Sequence, residues 1–132
     1  MAVLFEVRTN AEIELLNVTE QVRKVVLESG VREGIACVYV PHTTAGIIIQ
    51  EPDEPSADRD LLWTLEQLLP QTGYEHGDVH AIGHLKAALI GHSVCVPISG
   101  GGLSLGGWQG ILLCEFGGPR TRRVVVQVVG EG

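Results

Sequence analysis

Short apolar runs, broken by glycine, proline and acidic turns, account for most of this chain, and strands flank its helical stretches on both sides without strict strand–helix alternation. That arrangement predicts an α+β fold with largely antiparallel pairing. Residues 3–8 set Val3, Phe5 and Val7 against Leu4, Glu6 and Arg8, which is strand alternation. After a turn at Thr9-Asn10, residues 12–16 read as a second extended piece. Asn17-Val18-Thr19-Glu20 has the spacing of a capping box, with Val18, Val22, Val25 and Val26 at helical intervals and Gly30 as a left-handed stop. A helix is therefore predicted over 19–29. Residues 35–41 and 45–50 are nearly all apolar, so both are expected to be strands buried on both faces.

Residues 52–57 read as a loop into a second helix, marked by Leu61, Leu62, Leu65, Leu68 and Leu69 and ended by Pro70. Residues 71–83 read as irregular, and 84–89 as a short helix stopped by Gly91. Strands over 92–98, 109–116 and 121–129 close the chain, joined through Gly100-Gly101-Gly102 and Gly117-Gly118-Pro119. The 132 residues are enough for one domain, expected to span 1–132. A hydrophobic content of 45% against 19% charged residues suggests that another subunit covers part of the surface.

The net charge of −7 argues against nonspecific binding of nucleic acid or an anionic membrane. No signal-peptide pattern and no apolar stretch of membrane-spanning length occur. Cys37, Cys95 and Cys114 lie in apolar runs without a C-x-x-C pair, so buried, reduced thiols are expected, which fits the cytoplasm. Arg120, Arg122 and Arg123 cluster near the C-terminus. They suit a small anionic ligand, although Arg122 and Arg123 equally suit edge-strand charges that block aggregation.

Several segments carry candidate chemistry. His42-Thr43-Thr44 follows an apolar strand, where an imidazole and two hydroxyls could bind an anionic oxygen, or where His42 simply caps the strand end. Glu51, held extended by Pro52 beside a run of isoleucines, could serve as a general acid or base, or be an ordinary loop acid. His76, His80 and His84 recur every four residues, and three imidazoles with an open fourth position would suit catalytic zinc. The H-E-x-x-H pattern is absent, and Gly77, Asp78 and Gly83 argue against one helix carrying all three. Residues 100–107 lack the lysine of a phosphate-binding P-loop, so no nucleotide cofactor is expected. Trp108 beside Gln109 offers a plate for a planar ring, or a core or interface tryptophan. Glu115 shares a strand face with Gln109 among apolar residues and needs a cation, for which Arg120 is the near candidate.

Taken together, Pro41-His42-Thr43-Thr44-Ala45-Gly46, Glu51, Asp60, Tyr74 with His76, His84-Leu85-Lys86-Ala87, Gly91, Leu105-Gly106-Gly107-Trp108-Gln109 and Glu115-Phe116-Gly117-Gly118-Pro119-Arg120 resemble the YjbQ family, also described as secondary thiamine-phosphate synthases. The resemblance implies a mostly antiparallel β-sandwich with two main helices, assembled as a homotrimer. It further implies a weak transferase activity that joins hydroxymethylpyrimidine diphosphate to a thiazole phosphate and releases pyrophosphate. His42, Glu51 and His84 would then be catalytic. Thr43, Thr44, Trp108, Gln109 and Arg120 would bind substrate. A divalent metal such as zinc would sit on His42, His76 and His84. His80 stands where the family tends to have asparagine, and Gln50 where asparagine often sits beside the glutamate. A metal-dependent hydrolase of a small phosphorylated or amide substrate, or a non-catalytic binder of small anions, would use the same inventory.

Overall fold

Alternation of buried and exposed side chains sorts the strands onto two antiparallel sheets. The computed structural model describes residues 2–75 and 77–131, with side chains described for all of these except residues 78–80. In chain order the elements are β1 (Ala2–Arg8), β2 (Glu14–Asn17), α1 (Thr19–Ser29), β3 (Gly34–Tyr39), β4 (Ala45–Gln50), α2 (Pro55–Leu68), α3 (Asp78–Ile90), β5 (Ser93–Ser99), β6 (Gly102–Leu103), β7 (Gly110–Glu115) and β8 (Thr121–Gly130). The larger sheet has the order β1-β8-β3-β5-β6 and the smaller β2-β7-β4.

The sheets face each other across one core. Val124, Val126, Ala36, Val38 and Val96 from the larger sheet meet Ile47, Ile111 and Leu113 from the smaller, with Val22 and Val26 of α1 in the same cluster. The reverse of the smaller sheet carries Cys114 and Phe116 and is covered by Leu65 of α2 and Ala87 of α3. Every residue of β7 is therefore buried, as a strand with a layer on each side must be. β3 differs from the expectation of two buried faces. Its sheet has a covering layer on one side of the protomer only, so Ile35 and Tyr39 are about half exposed while Ala36 and Val38 are sealed.

α1 begins and ends where its sequence signals put it, but the cap works differently. Asn17 Oδ1 accepts from the Thr19 N–H at 3.1 Å and from its hydroxyl at 2.5 Å, with Val18 in the N-cap position. Glu20 turns outward to Arg23, 3.4 Å away, instead of closing a capping box. The Thr19 oxygen is thereby free to accept the Ile111 N–H at 2.8 Å, tying the helix start to β7.

The larger departure is α3, which starts at Asp78 and not at residue 84, so the short third helix expected there is a 13-residue one. Gly83 lies inside it as a packing residue. A Cβ there would stand 3.0 Å from the Phe116 carbonyl oxygen and 3.6 Å from Thr44 Cγ2, a tight fit that glycine relieves where the helix approaches the smaller sheet. No helix among the described residues is long and apolar enough to cross a membrane.

Ile111 is fully buried between the sheets, whereas Leu27 on α1 is 68% exposed. Ile111→Ala is expected to lower unfolding free energy by about 2–5 kcal/mol, and Leu27→Ala to change it by under about 0.5 kcal/mol. Urea unfolding at fixed protein concentration measures both.

Candidate functional site

At one end of the sandwich the apolar alternation admits charge. On β7, Glu115 continues the face of Ile111 and Leu113; on β8, Arg122 continues the face of Val124 and Val126. Both are buried, and they meet across the gap between the sheets. Arg122 Nε donates to Glu115 Oε1 at 2.8 Å and its Nη2 donates to Oε2, to Thr44 Oγ1 at 2.8 Å and to the Thr44 carbonyl at 3.2 Å. The Thr9 hydroxyl donates to Glu115 Oε1 at 2.8 Å, and the Gly117 N–H to Oε2 at 3.0 Å. Burial alone would push the Glu115 carboxyl up, but the Arg122, Gly117 and Thr9 donors outweigh it and hold the group below its ordinary range.

This geometry corrects two expectations. Glu115 pairs with Arg122, not Arg120, because strand alternation points Arg122 into the sandwich while Arg120 lies on the exposed turn before β8. Nor is Arg122 an edge-strand charge, since β8 lies between β1 and β3.

The loop after β3 sits against this polar plug. β3 ends at Tyr39, which leaves the N–H of Arg123 without a ladder partner from that strand. His42 Nε2 accepts it at 2.9 Å. Partial burial, with Arg122 and Arg123 close by, lowers the imidazole below its ordinary value of 6.5. His42 is thus neutral near pH 7, and with Nε2 accepting, Nδ1 carries the proton. It lines a cavity of about 310 Å³ with Tyr39, Thr43 and His92.

Thr44 lines a second cleft, of about 140 Å³, together with Gly83, Gly117, Gly118, Arg120 and Glu12. The Arg120 N–H is fixed by Thr9 Oγ1 at 2.9 Å, while its side chain is exposed. His84, on α3, borders a third cavity of about 420 Å³ with Tyr74, Glu75 and Leu85. His76 lies outside the described residues, as does the side chain of His80.

Glu51, Trp108 and Gln109 lie elsewhere. Gln50 of β4 pairs with Gly110 of β7, while Ala45 pairs with Glu115. Glu51, Trp108 and Gln109 therefore sit at one end of the smaller sheet, and Thr44 and Arg120 at the other. A six-residue strand separates those ends by roughly 17–20 Å. Trp108 is 78% exposed, so it is not a core tryptophan. Gln109 Oε1 accepts from the Gly106 N–H at 2.9 Å, folding its own turn.

Of the three residues that the resemblance makes metal ligands, His42 and His84 are described and stand apart, while His76 lies outside the described residues. His42 has Nε2 committed to a backbone N–H and cationic neighbours, and it lines a different cavity from His84. Among the described residues no three His, Cys, Asp or Glu side chains gather as a metal site. Sequence reasoning also passed over Lys86, which is buried on α3 and paired with Glu66 of α2. Its signal was its place in the His84-Leu85-Lys86-Ala87 stretch.

A β-sandwich backed by helices on its smaller sheet, with an ion pair plugging one end and polar loops around it, defines the class of this protein. Residues 4–131 match the family described as UPF0047 protein YjbQ-like, and the chain belongs to that family. It is 39% identical over 128 residues to a UPF0047 protein of Methanocaldococcus jannaschii, covering 96% of this chain and 93% of that one. It is 38% identical over 130 residues to UPF0047 protein YugU of Bacillus subtilis, covering 95% and 96%. Among solved structures, a YbjQ-like protein of unknown function from Sulfolobus solfataricus superposes with a TM-score of 0.93 at 33% identity, covering 99% of this chain and 97% of that one. An uncharacterized conserved protein of the family from Clostridium acetobutylicum gives 0.91 at 41% identity, covering 96% and 99%.

Arg122→Met should destabilise the fold by about 3–5 kcal/mol, because it strands a buried carboxylate, and Arg122→Met with Glu115→Leu should recover most of that loss. Urea unfolding of the four-membered cycle measures it. Since the Glu115 carboxyl is held low, its contribution is complete above its ordinary value of 4.5 and is lost as pH falls through the folded value.

His42 gives a separate acid signature. Below its ordinary value of 6.5 the unfolded chain takes up a proton that the folded imidazole resists, so stability falls until the lower folded value is passed. His42→Gln should flatten that limb, as read from thermal unfolding between pH 7 and pH 5.

Proposed function

We propose that this chain is a small-molecule enzyme that takes a phosphorylated substrate, with its anion subsite in the cleft between Thr44, Gly117, Gly118 and Arg120. Arg120 carries the reading. Its guanidinium makes no ion pair among the described residues, and its backbone is pinned at the cleft by Thr9. Arg122, directly behind, is consumed by Glu115 and is unavailable to a ligand.

The reaction is the one the family resemblance implies. The ring nitrogen of a thiazole phosphate attacks the methylene carbon of hydroxymethylpyrimidine diphosphate, the carbon–oxygen bond breaks, and pyrophosphate leaves. What this chain supplies is charge stabilisation of the leaving group: the Arg120 guanidinium and the Thr44 hydroxyl in the cleft, with the Thr43 hydroxyl and the Nδ1–H of neutral His42 reaching it from the neighbouring loop cavity. No step is routed through the divalent metal, because His42 and His84 do not offer it a shared site in one protomer. Glu51 and His84 are assigned to ring orientation and proton handling, and Trp108 with Gln109 to the face of the pyrimidine. These groups stand at the far end of the smaller sheet or in a neighbouring cavity, so a homotrimer that brings one subunit's Trp108 end to another's Arg120 end completes the site. The exposed Trp108 supports that arrangement. The protein acts in the cytoplasm, where its thiols are reduced at rest.

Calorimetry with pyrophosphate, beside a pyrophosphate-release assay on the two substrates, tests this reading. Losing one charge-assisted contact is worth about 1.5–3 kcal/mol, so Arg120→Met should bind pyrophosphate roughly 10- to 150-fold more weakly and lose turnover. Unchanged affinity would remove the subsite. Binding without turnover in the unaltered protein would make it the non-catalytic binder instead. Co-expressed Arg120→Met and Trp108→Ala chains should regain activity, because some mixed sites then hold both intact residues.

A further inference from the structure

The expectation of three buried thiols fails on the larger sheet. Cys114 is buried and burial pushes its thiol up to about 12, but Cys37 is half-buried and Cys95 is exposed. The two lie directly opposite each other on β3 and β5. Both side chains lie on the open face, since Ala36, Val38 and Val96 fill the core face of the same strands.

The ladder fixes how close they are. The Val40 N–H donates to the His92 carbonyl at 2.8 Å, one step beyond the Tyr39–Ser93 pair. Opposed residues that exchange such bonds alternate with pairs that do not, so Val40–His92 and Val38–Val94 are hydrogen-bonded pairs and Cys37–Cys95 is not. Pro97 agrees with this phase: opposite Ile35, it occupies a position where β5 donates no N–H to β3. In a non-hydrogen-bonded pair the Cα atoms stand about 4.5 Å apart, within the span of roughly 4.4–6.8 Å that a disulfide bridges. The two thiols feel each other across the pair: burial first, and then the neighbouring Cys95 thiol, raise the Cys37 thiol above its ordinary value.

We propose that Cys37 and Cys95 are a reversible dithiol site that takes low-molecular-weight disulfides as its oxidant and closes into a staple between β3 and β5. The exposed Cys95 sulfur attacks one sulfur of the small disulfide, whose S–S bond breaks and releases one small thiol, leaving a mixed disulfide on Cys95. Cys37 then gives its proton to solvent and attacks the Cys95 sulfur, and the second small thiol leaves. Two electrons pass from the protein to the small disulfide, which departs as two thiols. Burial and the neighbouring Cys95 thiol favour the protonated form of Cys37 until that second step. A bridge between such closely held, exposed positions is of the readily reduced kind, suited to a transient state. Tyr39, the next residue on this face of β3, also lines the His42 cavity, so the staple closes one pleat from it.

The test uses the folded full chain with oxidised glutathione as the probe, read by thiol titration and intact mass. Two of the three thiols should disappear, the mass should fall by two hydrogens, and a peptide map should join the β3 and β5 peptides, all reversed by dithiothreitol. Cys37→Ser should instead retain one glutathione on Cys95, and Cys114→Ser should behave as the unaltered chain does. If the unaltered chain keeps the glutathione adduct, cross-links to a second copy, or stays unreactive where the unfolded chain reacts, the proposal is wrong. The mass of the unaltered chain decides the matter even if a variant does not fold.

Discussion

The polar end of the sandwich is organised around the buried Glu115–Arg122 pair. The two residues come from different sheets, and between them they collect donors or acceptors from Thr9, Thr44 and Gly117. A buried ion pair adds little net stability, because desolvation offsets most of its attraction. Its effect here is positional. Once both charges are buried, each remaining lone pair and N–H must find a partner, and the partners nearest to hand are the loops that follow β1 and β7 and precede β4. Those loops carry the candidate chemistry.

His42 illustrates how structural and functional readings of one residue coincide. Its imidazole replaces the strand partner that Arg123 lacks beyond Tyr39, and this same bond leaves a proton on Nδ1. Partial burial, and then the neighbouring arginines, depress its basicity and leave it a neutral donor near Arg120. His42, Thr44 and Arg120 thus gather at one end of the protomer, while Glu51, Trp108 and Gln109 belong to the opposite end of the smaller sheet.

Much of this was legible in the chain. Helix α1 ends at Gly30 because glycine alone takes the left-handed turn readily, and β4 begins and ends as its apolar run does. Other elements were misread for physical reasons. Gly77 and Gly83 look like breakers, yet Gly83 serves close packing against Phe116 and Thr44, a fact of the neighbouring strand and not of the helix. Arg122 and Arg123 are adjacent and chemically identical, and only the facing of β8 makes one a core residue and the other a surface one. The two open-face cysteines read as core residues in the sequence because an apolar run does not reveal which of its faces has a covering layer.

Local order determined the identity and approximate span of most strands and of the first two helices, because alternation, capping and turn residues act over a few positions. The family motifs were likewise readable as strings. Tertiary structure alone decided which charges pair, which cysteines are opposed, and which motif residues share an end of the sandwich. Those outcomes depend on strand register and sheet order, where a shift of one residue reverses every side chain, and no local preference encodes them.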